Sequence, residues 1–303
     1  MPTFQGIANA SAAVALDEHR LVVADDERKY LSLYSLDGGE ALDLWKFKDR
    51  FSRHVAKEPD LEGATLIGDT IFWISSHGTD GAGRTAPDRA MLFATRVKDR
   101  PGNLDLQVQG DVYRDLLNDM EADPTLNVVF GFPLVRDIPP KQPGGISIEG
   151  LATTPEHGLM IGFRNPLVGD MAVVVEVRNP FDLIDGMRPD FAPPIFLDLG
   201  KRGIRSMEQI DRGYLIVAGP FGNDHQPRSA LFFWNGMHDA LPVELSVDLP
   251  YDFNPEAVFV VPNTDTICLL SDDGRFYRGE DRLSDPLEFR GLVFNLGTLL
   301  ASL

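Results

Sequence analysis

Four glutamates, Glu62, Glu149, Glu208 and Glu256, each stand at the head of an apolar, strand-like run, and Ser11 takes the corresponding place in a fifth. Carboxylates gathered on one axis repel one another unless a cation, a base or protons compensate them. Hard divalent cations take oxygen ligands, so calcium or magnesium is the ion such a set would hold. Arg and Lys from neighbouring segments are the alternative neutralisers. A second polar set follows the runs: Asp25-Asp26-Glu27, Ser76-His77, Arg164-Asn165, Gly219-Pro220 and Ser271-Asp272-Asp273. It offers His77 as a base and Arg164 as a bidentate anion clamp, with Asp25, Asp26, Asn165 and Asp272 placed toward a substrate. The bland alternatives are Arg164 paired internally with Asp26 or an axial glutamate, and His77 hydrogen-bonded to backbone. His19 and His157 fall in turns, and His225 and His238 in polar loops.

The runs that must position these residues repeat one grammar: a polar residue, a small residue, an apolar strand, a tight turn, a second apolar strand and a polar corner. It is read at Ser11–Tyr34, Glu62–Gly78, Gly145–Pro166, Glu208–Pro220 and Glu256–Gly274. Ser11 to Asp26, Glu62 to His77, Glu149 to Arg164 and Glu256 to Ser271 are each 15 residues apart. The fourth unit reads as shorter, with a tight turn at Asp211-Arg212-Gly213. Second strands such as Leu21–Ala24, Ile71–Ile74 and Leu159–Phe163 are apolar throughout, which requires burial on both faces. No stretch between them is long enough for five crossover helices, so radially stacked antiparallel sheets fit best.

Third strands are expected at Leu31–Tyr34, Met91–Thr95, Met171–Val177, Ala230–Trp234 and Arg275–Tyr277. Fourth strands are expected at Leu42–Lys48, Leu104–Gln109, Pro194–Leu199, Pro242–Val247 and Pro286–Val293. The expectation is an all-β protein, one propeller domain over residues 1–303 with five four-stranded blades near 10–49, 60–110, 147–200, 205–250 and 254–295. A six-bladed count is the competing arrangement. One insertion, 99–144, interrupts the repeat; within it Asp111 is expected to cap a helix over 111–122 with Val112, Leu116, Leu117 and Met120 on its apolar face. Such an insertion is either a lid or a brace.

The chain carries a formal net charge of -18, which repels phosphate backbones and anionic lipid, so nucleic acid and membrane are excluded as expected partners. A single cysteine, Cys268, sits in the apolar run ICLLS and reads as inert core. With the absence of a basic and apolar leader in MPTFQGIANAS, it predicts a cytoplasmic protein. There is no P-loop, dinucleotide fingerprint, H-E-x-x-H, C-x-x-C or G-x-S-x-G elbow.

Several words go beyond the repeat grammar. Ser11-Ala12-Ala13 with Val23-Ala24-Asp25-Asp26-Glu27, Leu61-Glu62-Gly63-Ala64 with Trp73-Ile74-Ser75-Ser76-His77-Gly78, and Glu149-Gly150-Leu151-Ala152 with Gly162-Phe163-Arg164-Asn165-Pro166 resemble, in order, the bacterial domain-of-unknown-function 3616 family. The resemblance implies a propeller and assigns no activity. In the family the loop after Ser-His-Gly is basic, whereas Thr79-Asp80-Gly81-Ala82-Gly83-Arg84 keeps one Arg and adds an Asp. More distantly, the Glu-Gly word is similar to gluconolactonase and phytase-like propellers, which implies axial carboxylates holding calcium. Two functions follow as expectations: a divalent-metal-dependent hydrolase of a small anionic, phosphoester or lactone substrate at the axis, or a non-catalytic propeller binding a peptide, glycan or protein through its loops.

Overall fold

A computed structural model describes residues 1–47, 50–51, 55, 57–98, 103–222, 226–277, 287–301 and 303. His225, Lys48, Pro286 and the insertion's first residues lie outside them. Five sheets form a ring, antiparallel except where Thr3–Gln5 takes a short parallel edge strand, Gly39–Glu40. Blade one comprises Ala10–Ala15, Arg20–Asp25, Tyr30–Ser35 and Asp43–Lys46. Blade two comprises Leu61–Ile67, Thr70–Ser75, Leu92–Lys98 and Asp105–Tyr113. Blade three comprises Ser147–Thr153, Leu159–Asn165, Ala172–Val177 and Ile195–Leu197. Blade four comprises Gly203–Ile210, Gly213–Gly219, Ala230–Trp234 and Val243–Glu244. The innermost strand of each blade touches those of its two neighbours, which closes the circle.

Blade five is assembled from both ends of the chain. Its inner strands are Pro255–Val260 and Thr266–Ser271, and its third is Glu288–Asn295, the run expected to be fourth. Residues expected as the third strand form a 3-10 turn, Gly274–Tyr277. The fourth strand is Thr3–Gln5 from the N-terminus, paired antiparallel with Glu288–Arg290. Phe4 stacks on Phe289 with ring centroids 4.7 Å apart, and Tyr34 of blade one packs edge-on against both. A segment from the opposite end of the chain therefore seals the ring, where a single local repeat was expected.

The continuous apolar strands have a period-two explanation. Each pair of adjacent blades encloses its own hydrophobic cluster, and five clusters separate the five blades. Ile71 and Trp73 face blade one while Phe72 and Ile74 face blade three. Leu21 and Val23 face blade five while Val22 and Ala24 face blade two. Both faces of a middle strand are interior, so its central positions are apolar and its polar residues, such as Asp25, Ser75, Arg164 and Ser271, gather at its ends. Cys268 belongs to the cluster between blades five and one, where burial pushes its thiol up to about 12.

Each inner strand carries a β-bulge at one equivalent place: Ser11, Glu62, Glu149, Arg205 and Glu256 are the residues skipped in the pairing register. A bulge adds one unpaired residue and re-aims its side chain. The following residue is small in every blade (Ala12, Gly63, Gly150, Ser206, Ala257) because the neighbouring inner strand packs there. A Cβ on Gly150 would lie 2.6 Å from Ile204 Cγ2 and 3.1 Å from Gly162 Cα, and one on Gly63 2.8 Å from Leu151 Cβ. The Glu-Gly word thus joins an axial side chain to a blade contact.

The insertion corrects the expectation in detail. Asp111 and Val112 belong to the outer strand of blade two, and the first helix, α1, runs Leu116–Ala122 from Asp115. A second helix, α2, follows at Pro124–Phe130, its first turn capped by Asp123, whose side chain accepts from the N–H groups of Thr125 and Leu126. Leu116, Met120, Leu126 and Phe130 pack into the cluster between blades two and three, so the helices brace that junction. No helix among the described residues is long and apolar enough to cross a membrane.

Candidate functional site

The five bulged residues converge on a cavity of about 420 Å³ at one end of the axis. A second tier, two residues before four of the bulges, lines it as well: Asn9, Asp60, Ser147 and Asn254.

On the side of blades three to five the charges are matched. Arg164 Nη1 donates to Glu149 Oε1 at 2.8 Å, and its Nε to the Pro220 carbonyl at 3.2 Å. Arg205 Nε lies 3.0 Å from Glu149 Oε2 and 2.9 Å from Glu256 Oε2, and Nη2 pairs with Glu256 Oε1. Asn254 Nδ2 adds a donor to Glu256 Oε1 at 2.9 Å. Burial alone would raise the Glu149 carboxyl, but the two guanidinium groups prevail and hold it below the ordinary carboxylate range. This alternating chain locks three blades together and occupies both arginines.

On the side of blades one and two the charges are not matched. Asp26, Asp60 and Glu62 each bring one carboxylate oxygen to within 4.8 Å of the other two. Burial, followed by repulsion from Glu149, Asp60 and Asp26, pushes Glu62 well above its usual range. Asp26 is driven the same way by burial and then by Asp25, Asp272 and Asp60, and its buried Oδ1 has no hydrogen-bond partner. Asp60 is raised by burial although Arg89 stands 3.2 Å away and the Ser76 hydroxyl donates to it. Asp60 also holds a positive φ of 52°, and its N–H donates to the Asp26 carbonyl at 3.2 Å, which ties the two residues in place. Three carboxyl groups shifted upward together are short of positive charge. Oxygen-only donors in this number fit a hard divalent cation, with coordination positions left for water or a ligand.

The other expected site residues are dispersed. Glu208 lies three residues past the bulge, where its carboxyl accepts the Val260 N–H at 3.2 Å and bridges blades four and five. Arg205 takes the axial place expected for it. Ser11 donates to the Leu61 carbonyl at 2.6 Å and so closes the blade one–two junction. His77 is buried behind the cavity wall, outside its lining, at a positive φ of 53°, and burial lowers its imidazole to about 4. That position denies it contact with a ligand in the cavity; Ser76 faces the cavity instead. Asp25 accepts the N–H groups of Asn9 and Glu27, a corner brace, and burial raises it to about 6. Asn165 donates to the carbonyls of Pro140 and Gln142, pinning the insertion's return loop. Arg164 serves Glu149 and backbone, the internal pairing weighed against an anion clamp. Of the expected substrate-facing aspartates, Asp26 and Asp272 line the cavity.

A family model described as "Protein of unknown function (DUF3616)" matches residues 94–265, more than half of the chain. The chain belongs to the DUF3616 family. Within this DUF3616 chain the matched span holds the Glu149-Gly150 and Gly162–Pro166 words, both axial arginines and the whole insertion loop that reaches the cavity. No curated protein sequence matches the chain. Among solved structures it is similar to the PQQ-bound aldose sugar dehydrogenase of Streptomyces coelicolor (12% identity, 96% of each chain, TM-score 0.45). It is likewise similar to the glutaminyl cyclase of Myxococcus xanthus (12% identity, 97% of this chain and 96% of that one, TM-score 0.48).

Proposed function

We propose that the axial cavity is a divalent-cation-dependent site that hydrolyses a small ester, with Asp26, Asp60 and Glu62 as protein ligands to calcium or magnesium. Two observations carry this reading: an oxygen from each of Asp26, Asp60 and Glu62 gathers within 4.8 Å, and the buried Oδ1 of Asp26 has no hydrogen-bond partner, in carboxyl groups that burial holds above their usual range. A cation bound there supplies a Lewis acid and acidifies a water molecule.

The chain's own residues do the rest. Asp272 lines the same cavity, near enough for its charge to raise Asp26, and is the carboxylate placed to accept a proton. Arg164 and Arg205 are spent on Glu149, Glu256 and carbonyls, so they stiffen the opposite wall and leave the ligand alone. Eight carboxylates and five cationic side chains line the cavity, a formal excess of three negative charges. One divalent cation leaves that balance still negative. A dianionic phosphomonoester is therefore disfavoured at the cation, and an uncharged lactone or carboxylic ester is the reacting group that fits.

The test is thermal unfolding after EDTA treatment, with calcium, magnesium or manganese restored one at a time. A cation bound to the native state alone raises stability by about 2.7 kcal/mol at a hundredfold excess over Kd. A shift with one cation, lost in Asp26→Asn, is the expected outcome, followed by turnover in a panel of lactones and aryl esters. No shift with any of the three sinks the cation site; a shift without turnover of any ester leaves a binding propeller.

A further inference from the structure

The insertion does more than brace two blades, because its return loop forms part of the cavity wall. Pro140 and Lys141 line the cavity between the corners of blades two and three. The loop is held from both sides. Thr79 Oγ1 donates to the Ile138 carbonyl at 3.1 Å, and a Cβ on Gly78 would lie 3.1 Å from Pro140 Cγ. Asn165 Nδ2 donates to the carbonyls of Pro140 at 2.8 Å and Gln142 at 2.6 Å, the two residues flanking Lys141. The backbone that carries Lys141 is therefore fixed, and the lysine side chain stands exposed at the mouth.

Its charge is unspent. Arg89 is engaged by Glu58 and Asp60, Arg164 by Glu149, Arg205 by Glu149 and Glu256, and Arg275 by the Asp252 carbonyl. Among the described lining residues, Lys141 is the one cation with neither a hydrogen bond nor an ion pair, and its field reaches Glu149 inside. The cavity is thus bipolar, with acid at the depth of Asp26, Asp60 and Glu62 and a free ammonium at the rim.

We infer that Lys141 is a specificity-determining residue that binds a single anionic group, a carboxylate or a phosphate, on the outer end of the ligand. The inference rests on the cation reading only for which end of the ligand points inward: an uncharged ester at the carboxyl cluster, an anion at the mouth. The loop supplies position, and the ammonium supplies a charge-assisted hydrogen bond without first breaking an internal pair.

The anion arm is measured without any cation, so that the two readings fail separately. The EDTA-treated full chain is titrated calorimetrically with inorganic phosphate and, in a second series, with propanoate, in low salt. Expected is saturable binding of one of the two, weakened about tenfold in Lys141→Ala, kept within about twofold in Lys141→Arg, and unchanged or tighter in Asp26→Asn. Phosphate alone, or propanoate alone, identifies the group. No saturable binding of either anion to the unsubstituted chain, or equal binding to Lys141→Ala, overturns the inference, whatever the cation experiment returns.

Discussion

Arg205 stands at the bulge of blade four where Glu149 stands at the bulge of the neighbouring blade three, and the two side chains meet 3.0 Å apart. One guanidinium on a ring of carboxylates is shared between two of them, because Glu256 lies on its other side, and Arg164 supplies the second positive charge at Glu149. Removing it leaves two buried carboxylates facing each other with one arginine between three blades. Arg205→Ala is expected to cost about 3–5 kcal/mol, the range for breaking a buried ion pair from one side. Urea unfolding measures it; a loss below about 1 kcal/mol would mean that the ring does not need this charge.

The opposite side of the ring predicts the reverse sign. Asp26→Asn and Glu62→Gln each remove a repelling charge from a group already held above its usual range. In EDTA both variants are expected to unfold at or above the temperature of the unsubstituted chain, and both lose the stabilisation that the cation brings. Differential scanning calorimetry with and without the cation reads both effects. A variant that is destabilised in EDTA and still responds to the cation contradicts the assignment.

The blades were legible because their signals are local: turn residues at hairpins, small residues at blade contacts and apolar runs at fixed spacing. Four of the five axial places follow from the 15-residue interval that joins bulge to corner. The fifth is not a carboxylate: counting 15 back from Pro220 gives Arg205, the residue that pairs with Glu149 and Glu256. Asp60 was missed because its contribution comes from the tier two residues before each bulge, a relation that exists only once the bulges are known. His77 misled for a different reason. It satisfies the interval, but its side chain is buried outside the cavity lining, where Ser76 takes its place. The N-terminal closing strand, only Thr3–Gln5, is too short to be read from periodicity at all.

Ring closure concentrates on Phe4, which is 1% exposed and stacked on Phe289. Phe4→Ala empties a site between blades five and one and is expected to cost about 3–5 kcal/mol. Because the lost contact joins the chain's two ends, hydrogen exchange should accelerate first in Thr3–Gln5 and Glu288–Asn295. Acceleration spread evenly over all five blades would count against closure by this strand.

Glu208 gives the protein a pH dependence separate from the cavity. Burial raises its carboxyl to about 8, opposed only by the hydrogen bond it accepts from the Val260 N–H. An unfolded glutamate titrates near 4.3, so between about pH 4.3 and 8 the folded state keeps a proton that the unfolded state releases. Its contribution is whole below that window, declines as pH rises through it and is gone above about pH 8. Asp25, at about 6, tilts the curve in the same direction over a narrower window. Glu208→Gln keeps an acceptor for Val260 and removes the titration. Urea midpoints at pH 5, 6, 7 and 8 should therefore fall less steeply for the variant, by ~1–2 kcal/mol over the window. Parallel curves for the two proteins would show that Glu208 ionises freely, as an exposed carboxylate does.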